Sequence, residues 1–153
     1  MVALVQRVRN AAVSVGGDEI GRIGVGLLIL LGVHRADGDR EMEWVARKCA
    51  NLRVFGDEEG RMNRSVVDVG GRVLVVSQFT LYGDVRRGNR PSFVDSAQPD
   101  HAVPLYERFV DRMTELTGNS VETGEFGAMM EVSLVNDGPV TIWIEKDPAG
   151  ADT

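Results

Sequence analysis

Residues 2–15 alternate apolar and polar side chains, the period-two pattern of a half-buried strand. Gly16-Gly17-Asp18 reads as a turn and Glu19 to Ile23 as a short return strand. Gly24 to Val33 is mostly apolar, with Leu27 to Leu31 uninterrupted, which predicts a central buried strand. The period then changes to that of a helix. From Asp39 to Leu52, Met42, Val45, Ala46, Cys49 and Leu52 share one face, with Asp39 expected as the N-cap. Arg53 to Phe55 is a strand running into the turn Asp57-Glu58-Glu59-Gly60. Gly70-Gly71 turns into a strand from Arg72 to Gln78, and a loop follows from Tyr82 to Pro99. A second helix is expected from about His101 to Thr117, turning Leu105, Tyr106, Phe109, Val110, Met113 and Leu116 inward. Gly118-Asn119 ends it. The last elements read as a hairpin: Gly127 to Val135, a turn at Asp137-Gly138-Pro139, and Val140 to Glu145. Strands plus two helices predict an α+β fold, a single domain with a sheet or barrel core.

Composition narrows the function classes. With 153 residues there is material for one domain with a full core, and 43% hydrophobic against 26% charged residues is ordinary for a globular protein. No apolar run reaches the ~18–20 residues that cross a bilayer. The start, Met1-Val2-Ala3-Leu4-Val5-Gln6-Arg7, lacks the pattern of a signal peptide, and the single cysteine, Cys49, forbids an intrachain disulfide. The expected location is cytoplasmic. A net charge of −6 argues against coating long nucleic acids but leaves room for gripping one RNA end. Arg86, Arg87 and Arg90 form the one basic cluster, either a solvated loop or a phosphate contact.

Conventional catalytic equipment is sparse. The two histidines, His34 and His101, fall in different elements, and no zinc spacing, phosphate-binding loop or nucleophile elbow is present. No cofactor or metal is expected. Two runs stand out. Ser77-Gln78-Phe79-Thr80-Leu81 sits where a buried strand emerges into a loop. It is either a capped strand end or a pocket mouth whose unpaired N–H groups stabilise an oxyanion, worth roughly 3–4 kcal/mol per donor. Thr80 is a possible nucleophile with no histidine nearby in sequence. In Asn136-Asp137-Gly138-Pro139-Val140-Thr141, a proline directly after Asp-Gly is unusual, because it cannot donate to a ladder. The cis form costs only about 0.5–1 kcal/mol at X-Pro. A cis Gly138-Pro139 would turn its carbonyls one way, as a main-chain wall able to read a small substrate's shape.

These two runs carry a resemblance. Ser77-Gln78-Phe79-Thr80-Leu81 matches the S-Q-x-T-L motif, and Asn136 to Thr141 the N-x-G-P-V-T motif, of the D-aminoacyl-tRNA deacylases. Val5-Gln6-Arg7-Val8, Asn51 to Phe55, Arg90-Pro91-Ser92-Phe93 and Thr123 to Ala128 agree with it. The likeness spans about residues 1–145, so the domain is drawn at 1–146, with 147–153 as a short disordered tail.

The resemblance implies hydrolysis of the ester between a D-amino acid and the terminal adenosine of tRNA, with glycyl-tRNA also accepted. It implies a homodimer with sites at the interface, where Gly138-Pro139 of one subunit enters the other's pocket and excludes an L side chain. Ser77 and Gln78 would position the amino acid, and the N–H groups around Phe79 and Thr80 would hold the oxyanion. The tRNA 2′-hydroxyl would stand in for a protein base, with Thr80 as a covalent nucleophile the alternative. Phe126 and Met130 are either adenosine contacts or ordinary core, and Arg7 either holds the Gly-Pro loop or is a surface arginine. The rival readings are a relaxed editor of mischarged L-alanine and a binding module without turnover.

Overall fold

The computed structural model describes residues 1–149. Its strands are β1 (Val2–Val15), β2 (Asp18–Ile23), β3 (Gly26–Gly32), β4 (Phe55–Gly56), β5 (Met62–Arg64), β6 (Arg72–Ser77), β7 (Glu122–Thr123) and β8 (Met130–Glu145). Two helices, α1 (Asp39–Asn51) and α2 (Pro99–Thr117), and a 3-10 turn at Phe79–Tyr82 complete the elements.

The organising strand is β1. Its length lets it serve several partners at once. One edge takes β3 antiparallel along Val2 to Val8 and β2 antiparallel along Ala11 to Val15. The other edge takes β8 along its whole length. Beyond β3 the sheet turns parallel, through β6 to β7. This parallel pair explains the unbroken apolar runs: β3 and β6 are covered on both faces, so alternation disappears. On one face Val5, Leu27, Ile29, Val73 and Val75 pack beneath α1 and α2. On the other, Val8, Val13, Ile23, Leu28, Leu74 and Val76 form a second cluster as β2 curls over the sheet. The result is the expected α+β, barrel-like core with two helices.

Local chemistry sets the helix boundaries. Gly38, not Asp39, caps α1, and its N–H donates to the Glu41 carboxylate at 2.8 Å. Asp39 is instead the first helical residue and pairs with Arg108 of α2 at 2.9 Å. α2 begins at Pro99, two residues before the expected His101, because a proline is well suited to the first turn, where no N–H partner is needed. Gly118 closes it in the left-handed region, at φ 70°. The start of β1 is pinned: the Met1 ammonium donates to buried Asp37 at 2.7 Å and to the Lys146 carbonyl at 2.8 Å.

The expected C-terminal hairpin does not form. β8 is one strand in one direction, and both its halves pair with β1. Gln6 faces Thr141 and Val8 faces Asn136, so β8 advances five residues where β1 advances two. The surplus of three is expelled as a bulge carrying Asp137, Gly138 and Pro139. The Asp-Gly signal is local and predicts a reversal; the long edge of β1 keeps the chain going straight. Asp147–Ala149 follow, with Pro148 buried, and the rest of the expected tail lies outside the described residues.

Candidate functional site

Ser77 ends β6 beside Leu31 of β3, and the Gln78 N–H makes the last ladder bond, to the Leu31 carbonyl at 2.8 Å. The chain then tightens into the 3-10 turn. Among the described residues the N–H groups of Phe79 and Thr80, the first two positions of that turn, have no hydrogen-bond partner. That is the consequence of leaving a sheet for a helical turn: the first donors of the turn have no carbonyl behind them. The Gln78 side-chain amide donates to the Thr80 hydroxyl.

Ser77, Gln78 and Phe79 divide two clefts. One, of about 60 Å³, lies toward α2 and is also lined by Leu31, Val33, Ser96, Ala97, Ala102, Tyr106, Phe126 and Gly127. The other, of about 290 Å³, runs on toward Ala128, Met129, Met130 and Val132. Phe126 and Met130 therefore flank the Ser77–Phe79 segment from opposite sides. Phe126 is half-buried and meets Tyr106 edge-on at 5.9 Å. The Tyr106 hydroxyl donates to the Val75 carbonyl at 2.9 Å, and burial pushes its pKa up to about 12, so it stays a neutral donor. Phe79 is 55% exposed.

No imidazole or thiol reaches Thr80 among the described residues. Both histidines are engaged elsewhere: His34 Nδ1 accepts from the Ala36 N–H at 3.0 Å while its backbone N–H donates to the Asp37 carboxylate at 2.6 Å, and His101 Nε2 lies 2.7 Å from the Asp37 carbonyl oxygen. Cys49 is buried in the core, and burial pushes its thiol up to about 12. The arrangement offers backbone donors and polar side chains rather than a charged nucleophile–base pair.

Arg7, Gly138 and Pro139 form a separate group. The Gly138–Pro139 peptide is cis. Arg7 Nε donates to the Asp137 carbonyl at 2.9 Å, and its NH1 donates to the Val54 carbonyl, so this arginine is built into the base of the bulge. Asn136 stands in the sequence only as part of a motif, yet its side chain closes the bulge. Its Oδ1 accepts from the Val140 N–H at 2.7 Å, and its Nδ2 donates to Thr141 Oγ1 at 3.0 Å. The signal was available, since an Asn ahead of a turn commonly bonds nearby backbone.

Within one chain the two groups stay apart. Arg7 is level with Leu27 of β3, and Ser77 with Leu31. Four residues of strand separate them, about 13 Å along the sheet.

Fold and site together define an α+β protein with a mixed, barrel-like sheet and a small cleft at the exit of a parallel strand. The pattern of the D-Tyr-tRNA(Tyr) deacylase family matches residues 4–145, and the chain belongs to that family. D-aminoacyl-tRNA deacylase of Salinibacter ruber is 59% identical over 146 residues, covering 95% of this chain and 97% of the relative. That of Chlorobaculum parvum is 56% identical over 146 residues, covering 95% and 98%. A solved c-Myc DNA Unwinding Element Binding Protein superposes with a TM-score of 0.90 at 42% identity, over 96% of this chain and 99% of that one. A probable eukaryotic D-amino acid tRNA deacylase shares the fold, with a TM-score of 0.81 at 18% identity, over 94% and 97%.

Proposed function

We propose that this chain hydrolyses the ester of D-aminoacyl-tRNA, releasing the D-amino acid and free tRNA, and that it accepts glycyl-tRNA and spares L-aminoacyl-tRNA. The observation that carries the reading is the pair of unpartnered N–H groups at Phe79 and Thr80, beside the cleft of Ser77 and Gln78. Water adds to the ester carbonyl carbon, and these donors take up the charge that develops on its oxygen. The bond to the 3′-oxygen then breaks, and that oxygen leaves with a proton. Gln78 and Ser77 hold the amino acid. The neighbouring 2′-hydroxyl of the tRNA relays the proton, a role supported by the absence of any imidazole contact to Thr80 among the described residues. Thr80 acts through its N–H and not as a covalent nucleophile: its hydroxyl is engaged by the Gln78 amide and has no base. Phe126, on the cleft toward α2, receives the terminal adenosine, whereas Met130 lines the second cleft.

Selectivity comes from the wall at Gly138-Pro139, held by Arg7. It acts by exclusion, so many D side chains pass while an L side chain meets backbone. Since the wall is offset from Ser77 by about 13 Å along the strands, with β1 and β3 between them in the same sheet, a second copy supplies it, and the working protein is a homodimer. Two surface features support the dimer. Among the described residues β8 pairs only with β1, which leaves its other edge without a neighbour. Trp143, Leu4 and Leu30 line up across β8, β1 and β3, with Trp143 51% exposed. Proofreading of this kind belongs with translation in the cytoplasm.

The test is one tRNA charged in parallel with D-Tyr, L-Tyr and Gly. Rapid loss of D-Tyr and Gly with L-Tyr spared is the expected outcome. Equal loss of D and L would mean a relaxed editor, and no loss of any would leave a binding module.

A further inference from the structure

Beyond Phe79 the surface continues into a feature that the hydrolytic reading leaves unused. Phe79 meets Phe93 edge-on, with ring centroids 5.1 Å apart, and Phe93 is itself 37% exposed. Phe93 follows directly on a closed loop. The backbones of Asp84 and Ser92 exchange N–H···O bonds of 2.8 and 2.9 Å, which fixes the loop's stem. Its tip holds Arg86, Arg87 and Arg90, beside a cleft of about 600 Å³.

The three arginines are not equivalent. Arg86 grips Asp84 with two bonds, of 2.9 and 2.7 Å, and its backbone N–H donates to the same carboxylate. These contacts hold the Asp84 carboxyl well below the usual carboxylate range. Arg87 and Arg90 make no hydrogen bond or ion pair among the described residues, whereas every other arginine makes at least one. Both line the cleft, which Asp84 and Asp95 also border, and in a chain of net charge −6 they are two exposed guanidiniums open to an anion from outside. Adjacent exposed rings add flat apolar surface, and unpaired bases stack on such faces. The patch is too small for a duplex, which needs charge spread along the helix.

We propose that Phe79, Phe93, Arg87 and Arg90 seat the single-stranded RNA that leads into the site: the rings take an unpaired base ahead of the terminal adenosine, and Arg87 and Arg90 hold the phosphates on either side. Asp84 fixes Arg86 as the loop's internal brace, which leaves the other two arginines facing outward. This rests on the deacylase reading and extends it from the terminal nucleotide to those before it.

The experiment compares wild type, R87A/R90A and F93L on D-Tyr-tRNA across a salt series, and on D-Tyr-adenosine, which has no phosphate. R87A/R90A is expected to lower kcat/KM about tenfold at low salt, mostly through KM, and to flatten the log–log salt dependence by about 1.4, at about 0.7 per phosphate contact. F93L is expected to lower kcat/KM about tenfold without changing the slope. Both deficits are confined to the substrate with phosphates. An unchanged salt slope, or an equal loss on D-Tyr-adenosine, would overturn the proposal. Should wild type leave D-Tyr-tRNA intact, the deacylase reading fails, and a labelled RNA pentamer ending in CCA carries the test by anisotropy. Weaker, less salt-dependent binding by R87A/R90A would then support the RNA seat, and identical binding would overturn it.

Discussion

Asn136 does with one side chain what a backbone ladder does elsewhere. Expelling three residues from β8 removes ladder partners on either side, and Val140, which is buried, would lose its N–H acceptor. The Asn136 carbonyl oxygen replaces it at 2.7 Å. Truncation by Asn136→Ala leaves that donor without a partner, at a cost of about 1–3 kcal/mol. The expected result is a lower unfolding midpoint together with a reduced D-over-L ratio, while Asn136→Asp, which keeps the acceptor, retains most of both. Chemical denaturation and the parallel tRNA assay measure the two effects, and an intact D-over-L ratio in Asn136→Ala would separate the clamp from selectivity. Gly138 is equally constrained. Its φ of 136° lies where L side chains are rare, and a Cβ there would sit 2.8 Å from Val140 Cγ2 and 3.1 Å from Arg7 NH2. At this scale the sequence was largely legible. Ser77, Gln78, Phe79, Gly138 and Pro139 all stood out by type and position. Arg7 and Asn136 were harder, because their partners are backbone atoms of distant or expelled residues, and neither spacing nor composition records those.

The elements divide along a similar line. Periodicity placed β1, β3, β6 and both helices, since burial on one or two faces writes itself directly into the apolar pattern. It misassigned β8, because Asp-Gly followed by strand-like residues has the same local appearance in a hairpin and in a bulge. Only the second partner decides, and here β1 supplies an edge long enough for both halves. The β3–β6 pair makes a further demand. At Gly26 a Cβ would lie 1.8 Å from the Arg72 carbonyl oxygen, inside the backbone of the neighbouring strand. Gly26→Ala therefore forces the two strands apart at the register position where Gly26 faces Arg72. We expect a loss of about 3 kcal/mol or more by urea denaturation, whereas Gly24→Ala, with nothing within 4 Å of its Cβ, changes the midpoint little.

For the whole molecule the central question is where one site ends and the next begins. If the wall from one subunit completes the cleft of its partner, two defective chains repair each other. A chain carrying Gln78→Ala and a chain carrying Gly138→Ala are each expected to fail the D-against-L assay alone. Unfolded and refolded together, they form mixed dimers in which one site has both parts intact. Statistical exchange makes half the dimers mixed, with one good site of two, so roughly a quarter of wild-type selective activity should return. A wall and cleft from the same chain would give no recovery, whatever the oligomeric state.

The sequence by itself determined the α+β class, the two helices, the buried strands and the residue types at the strand exit and the Gly-Pro step, because each follows from local propensity or from which faces are buried. Only the tertiary structure decided that β8 runs straight through its Asp-Gly-Pro, that Arg7 and Asn136 brace the resulting bulge, and that this bulge stands about 13 Å along the sheet from Ser77. Those outcomes depend on strand pairing between residues more than a hundred positions apart, and pairing register is a property of two edges meeting, which no single stretch of chain encodes.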